Sequence, residues 1–568
     1  MSRFDRRSFL KAATASIACA MTGRPRRVFA TVDGSADLIL KNGAIVTMND
    51  KQPTAAALAV RGGRILAVGS NEEIARLAAT GTRTIDLAGR SVSPGLIDGH
   101  SHVIGFGQMQ LKFVLLRPPK VNSFDTLRAE LAKAAKDKEP GEWIVGRGFD
   151  TFKEGRFPRR QELDEAVRDN PTLIIHWGGQ FGAANTLALK KAGLLRKDAK
   201  DPYGGKYLRE RKTGLPDGVL LHYPAIYSVY HPELDEKEQM ECARWGMRQF
   251  AASGVTCIHD NFCSPRHAAN YVRLEQMGEL PCRVRVYPYV ANLETCQQAV
   301  SKVRRYDGRL VRLQGIKLAV DGYALMYKIP REQQHLAIPM HPQPRFDEII
   351  ETIHKADLQA DVHAMGDKGV DWTLEAYEKA AGSASECRNR RHRIEHFAFR
   401  KVDSIRRAAD LGVPVCTQPT FVELKADDFR DKLGLFGKDY VEKLLPVRTF
   451  VKEDVHLAFG ADVPAFPSHQ PMESIRCALE RRTGGGRQLD TDEAVSFMEA
   501  LRCHTLSTAY ASFDEAELGS LETGKCADFV IWNKDLAAVR TGRDAAALKP
   551  DATYLAGEPV YQADHRDG

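Results

Sequence analysis

Several features are missing from this 568-residue sequence, and each absence excludes a class of protein. No run of 18 or more uncharged apolar residues occurs, so the sequence predicts no transmembrane helix. None of the 11 cysteines belongs to a Cys-x-x-Cys pair, which argues against a structural zinc knuckle. No short internal repeat is evident. A hydrophobic content of 43% and a charged content of 27% are those of an ordinary globular protein.

The formal charge of +7 is concentrated at the N-terminus. Residues 1–30 carry seven basic residues and one acid, so the remainder is nearly neutral and gives no electrostatic reason to expect a nucleic-acid partner. The run Asp5-Arg6-Arg7-Ser8-Phe9-Leu10-Lys11, the weakly apolar residues 12–21 and the small residues near Ala30 are typical of a twin-arginine signal peptide. We therefore expect residues 1–30 to be removed and the protein to be periplasmic or secreted. A disordered basic tail is the alternative.

The ten cysteines outside the signal lie mostly in apolar runs, as Cys257, Cys416 and Cys503 do. This placement predicts buried free thiols, because a thiol behaves as a small apolar group. Disulfides are the alternative in an oxidising compartment.

Both ends of the chain are rich in short β-type runs separated by glycines. Residues 36–92 contain five such runs and predict a small antiparallel sheet, and residues 528–532 and 552–558 predict two more strands. Together these ends, residues 31–92 and 515–568, are expected to form one β domain.

The middle of the chain alternates strand-like and helix-like segments. This pattern predicts an α/β fold of the (β/α)8 TIM-barrel type over residues 93–514, with residues 103–253 inserted after the first strand. The eight predicted strands are residues 92–97, 255–259, 284–290, 314–320, 360–363, 393–396, 413–418 and 455–461. Because such an insertion covers the end of a barrel that carries active sites, it is expected to shape a substrate pocket.

Candidate metal ligands lie where these strands end. His100 and His102 follow the first strand, and an i, i+2 spacing places both imidazoles on one face of a strand. His363, His396 and Asp462 end strands five, six and eight. Lys317 lies inside the otherwise apolar strand four. One such residue alone is commonly structural, but the whole set on the correct strand ends predicts a site for a divalent metal such as zinc.

These runs resemble the amidohydrolase superfamily, and within it the amidohydrolase-3 or YtcJ-like group, which includes N-substituted formamide deformylases. The resemblance covers roughly residues 36–565. It is carried by Pro94 to His102, Lys317 to Gly322, His363 to Asp367, Ile394-Glu395-His396, Gly460 to Pro464 and Gly519 to Asp528. It implies a (β/α)8 barrel, a composite β-sandwich made by the two termini, and metal-dependent hydrolysis.

The resemblance also implies a role for each candidate. His100, His102, His363 and His396 correspond to metal ligands, and Asp462 to both a metal contact and the catalytic acid/base. Lys317 occupies the position where related enzymes carry an N-carboxylated lysine between two metals. Whether this lysine is carboxylated, and whether one or two ions bind, stays open. The implied reaction is attack of a metal-bound hydroxide on the carbonyl carbon of an amide or formamide-like C–N bond in a small molecule.

Two departures from the group leave the substrate open. Gln180 stands where relatives often carry a histidine, and Gln418-Pro419 is followed by Thr420-Phe421 rather than by a nearby histidine. His222 and His259 are further pocket candidates, although a structural role is at least as common for such residues. The alternatives are the same site acting on an ester, lactone or phosphotriester, or a non-catalytic binding protein. A homodimer is the default expectation for a soluble enzyme.

Overall fold

The computed structural model describes residues 34–150, 154–230, 234–303, 306–322, 324–329, 331, 337–427 and 441–564, without the side chain of Lys425. The expected signal peptide lies outside these residues. Among the described helices, none is both long and apolar enough to cross a membrane. The ten described cysteines carry free thiols and nine of them are buried, as the sequence predicted.

The N-terminal region contains seven strands and one short helix. Helix α1 begins after Ser70, which forms a capping box with Glu73. The elements are β1 (Leu38–Lys41), β2 (Ala44–Val46), β3 (Thr54–Ala55), β4 (Ala57–Arg61), β5 (Arg64–Gly69), α1 (Asn71–Ala75), β6 (Arg83–Asp86) and β7 (Ser91–Pro94). The expected purely antiparallel sheet is wrong, because β1 pairs with β6 and β2 with β7 in parallel. The intervening strands make each connection long enough for a parallel crossover.

The first predicted barrel strand, residues 92–97, is divided between two sheets. β7 ends at Pro94, and the barrel strand β8 runs over Leu96–Ser101. Gly95 separates them, and a Cβ on this residue would lie 2.2 Å from Oγ1 of Thr256. The close approach therefore requires glycine at the change of sheet.

The insertion forms a sheet of its own. Its strands pair in the order β13-β14-β12-β11-β10-β9. The elements are α2 (Val103–Lys112), β9 (Val114–Leu115), α3 (Phe124–Ala135), β10 (Ile144–Phe149), α4 (Arg160–Ala166), β11 (Thr172–His176), β12 (Phe181–Ala184), α5 (Thr186–Lys191), β13 (Lys206–Arg209), β14 (Pro216–Leu221), α6 (His222–Val229) and α7 (Glu236–Ala252).

The central region repeats strand and helix, and its strands are almost entirely buried, as parallel strands covered on both faces must be. The strands are β15 (Val255–Cys263), β16 (Arg283–Pro288), β17 (Val311–Leu313), β18 (Gly315–Ala319), β19 (Gln359–Ala364), β20 (Arg393–His396), β21 (Val415–Thr417) and β22 (Leu457–Phe459). The helices are α8 (Pro265–Gln276), α9 (Leu293–Val303), α10 (Gln343–Lys355), α11 (Asp367–Ala381), α12 (Ala384–Arg390), α13 (Val402–Asp410), α14 (Thr420–Asp427), α15 (Val447–Lys452), α16 (Pro471–Glu480), α17 (Phe497–Cys503) and α18 (Leu506–Ala511), with a 3-10 helix at Thr491–Glu493.

The parallel strands form two arcs, β8-β15-β16-β17 and β18-β19-β20-β21-β22. Backbone hydrogen bonds connect the arcs at both sides: the N–H of Val290 donates to Lys317 O at 2.9 Å, and the N–H of Asp462 donates to His100 O at 2.7 Å. The second contact needs Gly460, because a Cβ there would lie 2.5 Å from the His100 nitrogen. Parallel strands alternating with helices give the α/β content that the sequence predicted.

The C-terminal region returns to the N-terminal strands. Its elements are β23 (Phe529–Trp532), a 3-10 helix (Leu536–Ala538), α19 (Gly542–Ala546), β24 (Pro550–Leu555) and β25 (Glu558–Gln562). β23 pairs with β7, giving a sheet of order β25-β24-β23-β7-β2-β3 beside the sheet β5-β4-β1-β6. The single strand predicted over 552–558 is a hairpin, because Ala556 and Gly557 adopt φ of 50° and 79° in a tight turn.

Candidate metal centre

The two histidines at the end of β8 face one carboxylate. Nε2 of His100 lies 3.6 Å and Nε2 of His102 lies 3.2 Å from Oδ1 of Asp462. Asp462 follows β22 and has a φ of 50°, an unusual value for a residue with a side chain. Such backbone strain is concentrated at functional sites. The backbone contact between the segment after β22 and the end of β8 therefore places the aspartate against both rings.

Two more imidazoles join this group from the next arc. The ring centroid of His396 lies 5.0 Å from that of His100 and 4.3 Å from that of His363. Lys317, in β18, directs Nζ toward Oδ1 of Asp361 at 3.4 Å. All six candidate residues, Asp462 included, line one inner cavity of about 60 Å³. Residues spread over more than 360 positions of the sequence thus meet at the C-terminal ends of the strands.

Three of the rings are held through Nδ1 by acceptor groups. Nδ1 of His100 contacts Oε2 of Glu395, and Nδ1 of His102 contacts the backbone carbonyl of Asn261. Nδ1 of His396 lies 2.7 Å from Oε1 of Gln418. A carboxylate, a carbonyl and an amide oxygen only accept, so each neutral ring carries its proton on Nδ1 and a lone pair on Nε2.

This arrangement fits a cation. The Nε2 lone pairs of His100 and His102 and the Asp462 carboxylate lie within 4.8 Å of one another. No proton is available between three acceptors when the rings are neutral, so a positive ion is the natural occupant of the space they enclose. His363 contributes a further buried Nε2, which makes no hydrogen bond and lies 3.4 Å from Oδ1 of Asp321. Imidazole and carboxylate ligands suit a divalent transition metal.

The protonation states also suit metal ligation. Burial favours the neutral carboxyl of Asp462, but a hydrogen bond from His102 and the positive charge of protonated imidazoles outweigh burial and lower its pKa to about 2, so a positive group in this position keeps the carboxylate ionised. Burial lowers the pKa of His100 and of His363 well below the ordinary histidine value. An ionised aspartate beside neutral imidazoles is the state in which these groups bind metals.

A second buried carboxyl group lies beside the candidate ligands, and its pKa is shifted in the opposite direction to that of Asp462. Asp361 is fully buried beside Lys317. Burial, and then the negative charge of Glu395, raise the pKa of Asp361 to about 7. Its charge is therefore sensitive to whether Lys317 carries a positive ammonium group.

The other sequence candidates have different environments. Gln180 lines the inner cavity, whereas His222 and His259 do not. His222 opens α6 with a φ of 66° and donates its N–H to Gln180 O at 2.7 Å. Nδ1 of His259 lies 2.9 Å from the Arg393 guanidinium inside the barrel. Both histidines thus take positions in the framework around the site.

Glu395 and Asn261 orient two of the candidate ligands, and the sequence analysis did not predict this role. The sequence does contain a pattern that points to Glu395, because Arg393 and Glu395 are two residues apart in a buried strand and so share one face. In the structure, Nε of Arg393 donates to Oε1 of Glu395 at 2.6 Å. Two charged residues on one face of such a strand must be partnered. Asn261 acts through its backbone carbonyl, which no sequence pattern reveals.

A second group of possible ligand atoms lies deeper in the barrel, at Cys257, His259 and Asp514. Asp514 accepts two hydrogen bonds from Arg285 and one from Arg312. These guanidinium groups already neutralise the carboxylate and would repel a metal ion. This group is a structural network.

A larger outer cavity of about 1430 Å³ adjoins the inner one. Six residues line both cavities, and we call them the junction. The junction residues are His102, Arg147, Tyr223, Phe262, Tyr289 and Met340. Arg147 and Tyr223 come from the insertion, which therefore shapes the space in front of the candidate ligands, as expected.

Comparisons with known proteins agree with this geometry. The model of the family described as "Amidohydrolase family" matches residues 83–561. The N-substituted formamide deformylase of Arthrobacter pascens is 27% identical over 93% of this chain and 98% of its own length. The putative amidohydrolase YtcJ of Bacillus subtilis is 25% identical over 92% of this chain and 99% of its own length. A crystal structure of an uncharacterized metal-dependent hydrolase from Pyrococcus furiosus superposes with a TM-score of 0.67, at 25% identity over 88% of this chain and 99% of that chain.

Proposed function

The chain belongs to the amidohydrolase family, and from that premise we propose that it is a metal-dependent hydrolase that cleaves an amide or formamide-like C–N bond of a small molecule. One observation carries the proposal. Two imidazole lone pairs and an ionised carboxylate converge within 4.8 Å at the C-terminal ends of the strands, where barrel enzymes hold their active sites.

The ligands would be His100, His102, His363, His396 and Asp462, with Lys317 beside them. A divalent cation held there supplies Lewis acidity, which polarises a carbonyl oxygen and acidifies water. Asp462 is ionised, so it can accept a proton from the attacking water and deliver it to the leaving nitrogen. Glu395 and Asn261 keep the His100 and His102 rings in position during the reaction.

Zinc is the expected metal. Whether one or two zinc ions bind is expected to depend on the chemical state of Lys317. N-carboxylation would convert its ammonium group into an anionic ligand able to bridge two ions. The raised pKa of Asp361 suits this change, because a protonated Asp361 tolerates a neighbouring anion.

Elemental analysis of protein purified without chelators tests the proposal. We expect at least one zinc per chain and release of amine from simple formamides. About two ions, falling to one or none in Lys317→Ala, would establish the carboxylated bridge, whereas one ion unchanged in that variant would leave Lys317 structural. Lys355→Ala, which removes an exposed lysine paired with Glu351, is the matched control. Absence of metal under every loading condition would contradict the hydrolase assignment.

We also propose that the two strand arcs close into a (β/α)8 barrel spanning 93–514, in which β17 and β18, separated only by Gln314, share one of the eight strand positions. Residues 31–92 and 515–568 would form a composite β-sandwich. Hydrogen bonds between the arcs support closure. A shared apolar core supports the sandwich, since Leu40, Leu58, Val92, Phe529 and Tyr554 belong to one cluster. Limited proteolysis tests these boundaries.

Export through the twin-arginine pathway completes the proposal. The paired arginines Arg6 and Arg7 support it, and Arg6→Lys/Arg7→Lys is expected to retain the protein in the cytoplasm. Cell fractionation and N-terminal sequencing of the mature chain, expected to start after Ala30, are the measurements. Light scattering of the purified protein tests the expected homodimer.

A further inference from the structure

Arg147 brings a positive charge to the junction between the two cavities. It lies in β10 of the insertion and lines both the inner and the outer cavity. Among the described residues that line the inner cavity, Arg147 and Lys317 are the two that are not histidines and have a basic side chain. Lys317 pairs with Asp361 at 3.4 Å, so of these two cations Arg147 is the one without a carboxylate beside it among the described residues.

The guanidinium of Arg147 has no carboxylate partner among the described residues. Its Nε is buried and makes no hydrogen bond. Burial lowers the pKa of Arg147, although arginine stays charged at any physiological pH. Arg147 is half-buried, and withdrawing a charge from water without a partner is costly, so a bound anion would supply the partner that this guanidinium lacks.

The neighbours of Arg147 hold the group without neutralising it. A Cβ on Gly179 would lie 3.1 Å from Nη2 of Arg147 and 3.4 Å from the Tyr223 ring, so the glycine leaves room for the guanidinium. Burial raises the pKa of Tyr223 and of Tyr227, so both phenols stay neutral. The carboxylate of Asp462 favours the charged guanidinium, but this carboxylate is already engaged with two histidines.

We propose that Arg147 determines substrate specificity by binding an anionic group, a carboxylate, on the small amide whose C–N bond is cleaved. The inference rests on the proposed function for the reaction and adds the class of substrate. A carboxylate would form a paired, charge-assisted hydrogen bond with the planar guanidinium. Hydrolysis adds water across the C–N bond: oxygen joins the acyl carbon, a proton joins the leaving nitrogen, and the distant carboxylate is unchanged.

Matched pairs of acids and carboxamides test the proposal. The probes are N-formylglycine, N-formyl-β-alanine and 4-formamidobutanoate, each beside its neutral carboxamide. For the chain length that fits best, we expect wild-type kcat/KM to favour the acid by on the order of 100-fold. Arg147→Gln is expected to remove this preference while still hydrolysing the carboxamide, which shows that the variant is folded. Arg147→Lys should keep part of the preference.

The control is Arg345→Gln. Arg345 lines the outer cavity but pairs with Glu348 at 2.6 Å and is half exposed, so its loss should leave the preference intact. Equal turnover of acid and carboxamide by the wild type at every chain length, or a preference that survives Arg147→Gln, would overturn the proposal.

Binding measurements distinguish a failure of the proposed anion site from a failure of the proposed hydrolase function. In the background Asp462→Asn, where the probes are expected to stay intact, calorimetry should detect tighter binding of an acid than of its carboxamide, and Arg147→Gln should abolish the difference. Arg147-dependent binding without any hydrolysis by the wild type would refute the hydrolase and uphold Arg147 as an anion site. Equal binding of acid and carboxamide would refute the anion site even if both are hydrolysed.

Discussion

Glu395 contacts Nδ1 of His100 through one carboxylate oxygen and accepts a hydrogen bond from Nε of Arg393, at 2.6 Å, through the other. Neither side chain of the Glu395–Arg393 pair is exposed to solvent. Arg393 also donates to the backbone carbonyl of Gly99 at 2.7 Å, directly before the histidine. The barrel interior thus fixes both the proton position and the backbone position of one candidate ligand.

Glu395→Gln is expected to weaken metal binding by about 10–100-fold, since an amide orients the His100 ring less strongly and no longer makes it more basic. Competition with a chelator measures the affinity. The control Glu493→Gln replaces another buried glutamate, one that accepts from the N–H of Thr449, and should leave metal affinity unchanged. Wild-type affinity in Glu395→Gln would show that the contact with His100 has no role in metal binding.

Asp462→Asn is expected to reduce kcat by about 100- to 10,000-fold, the range for loss of a general acid/base, while keeping much of the bound metal. The asparagine cannot accept a proton, although its oxygen can still face the site. Steady-state kinetics and elemental analysis on the same sample measure both effects. His363→Ala, by comparison, should lose metal and turnover together. Undiminished turnover in Asp462→Asn would disprove the proposed role.

Asp528 links the barrel to the C-terminal strands, and Asp528→Asn is expected to lower the free energy of unfolding by about 3–5 kcal/mol. The carboxylate accepts from Nε of Arg283 at 2.7 Å and from its Nη2 at 3.0 Å, and both groups are buried. The variant would leave a buried guanidinium partly unpaired. Urea unfolding followed by circular dichroism measures the change.

The exposed pair Arg406–Glu453 provides the comparison for Asp528. Glu453→Gln should change stability by less than about 1 kcal/mol, because water screens such pairs. Similar effects of the two substitutions would mean that burial does not strengthen the Arg283–Asp528 contact.

Asp514 is expected to make stability depend on pH in the acid range. Burial opposes its ionisation, but Arg285 and then Arg312 outweigh burial and lower its pKa below the ordinary aspartate value near 4. The unfolded chain therefore binds this proton more readily, so the stabilisation is complete above about pH 4 and is lost as the pH falls through the folded-state pKa.

Urea unfolding between pH 7 and pH 3 measures this effect as the difference between wild type and Asp514→Asn. The difference in unfolding free energy should be largest at neutral pH and shrink once the pH falls below about 4. A difference that stays constant over this range would mean that Asp514 titrates alike in the folded and unfolded chains.

Much of the site could be predicted from sequence because strand geometry is local. The i, i+2 spacing of His100 and His102 determines a shared face, and apolar runs that end in His363, His396 and Asp462 mark strand ends. The TIM-barrel-type fold followed from the same alternation of strands and helices.

Local sequence patterns did not predict how segments that are distant in the sequence pair with one another. The parallel pairing of β1 with β6, the division of residues 92–97 at Gly95 and the hairpin at Ala556-Gly557 depend on neighbours remote in sequence or on two backbone angles. Composition and periodicity carry no such information.

The sequence by itself determined which residue types could hold a metal and the strand ends on which they lie. Only the tertiary structure decided that Glu395 supports His100 and that the Asn261 carbonyl supports His102. It also decided that Arg147 from the insertion lines the cavity without a carboxylate partner among the described residues. The physical reason is that these relationships join separate strands through side-chain packing and backbone carbonyls, and the pairing of strands, not the order of residues, sets those distances.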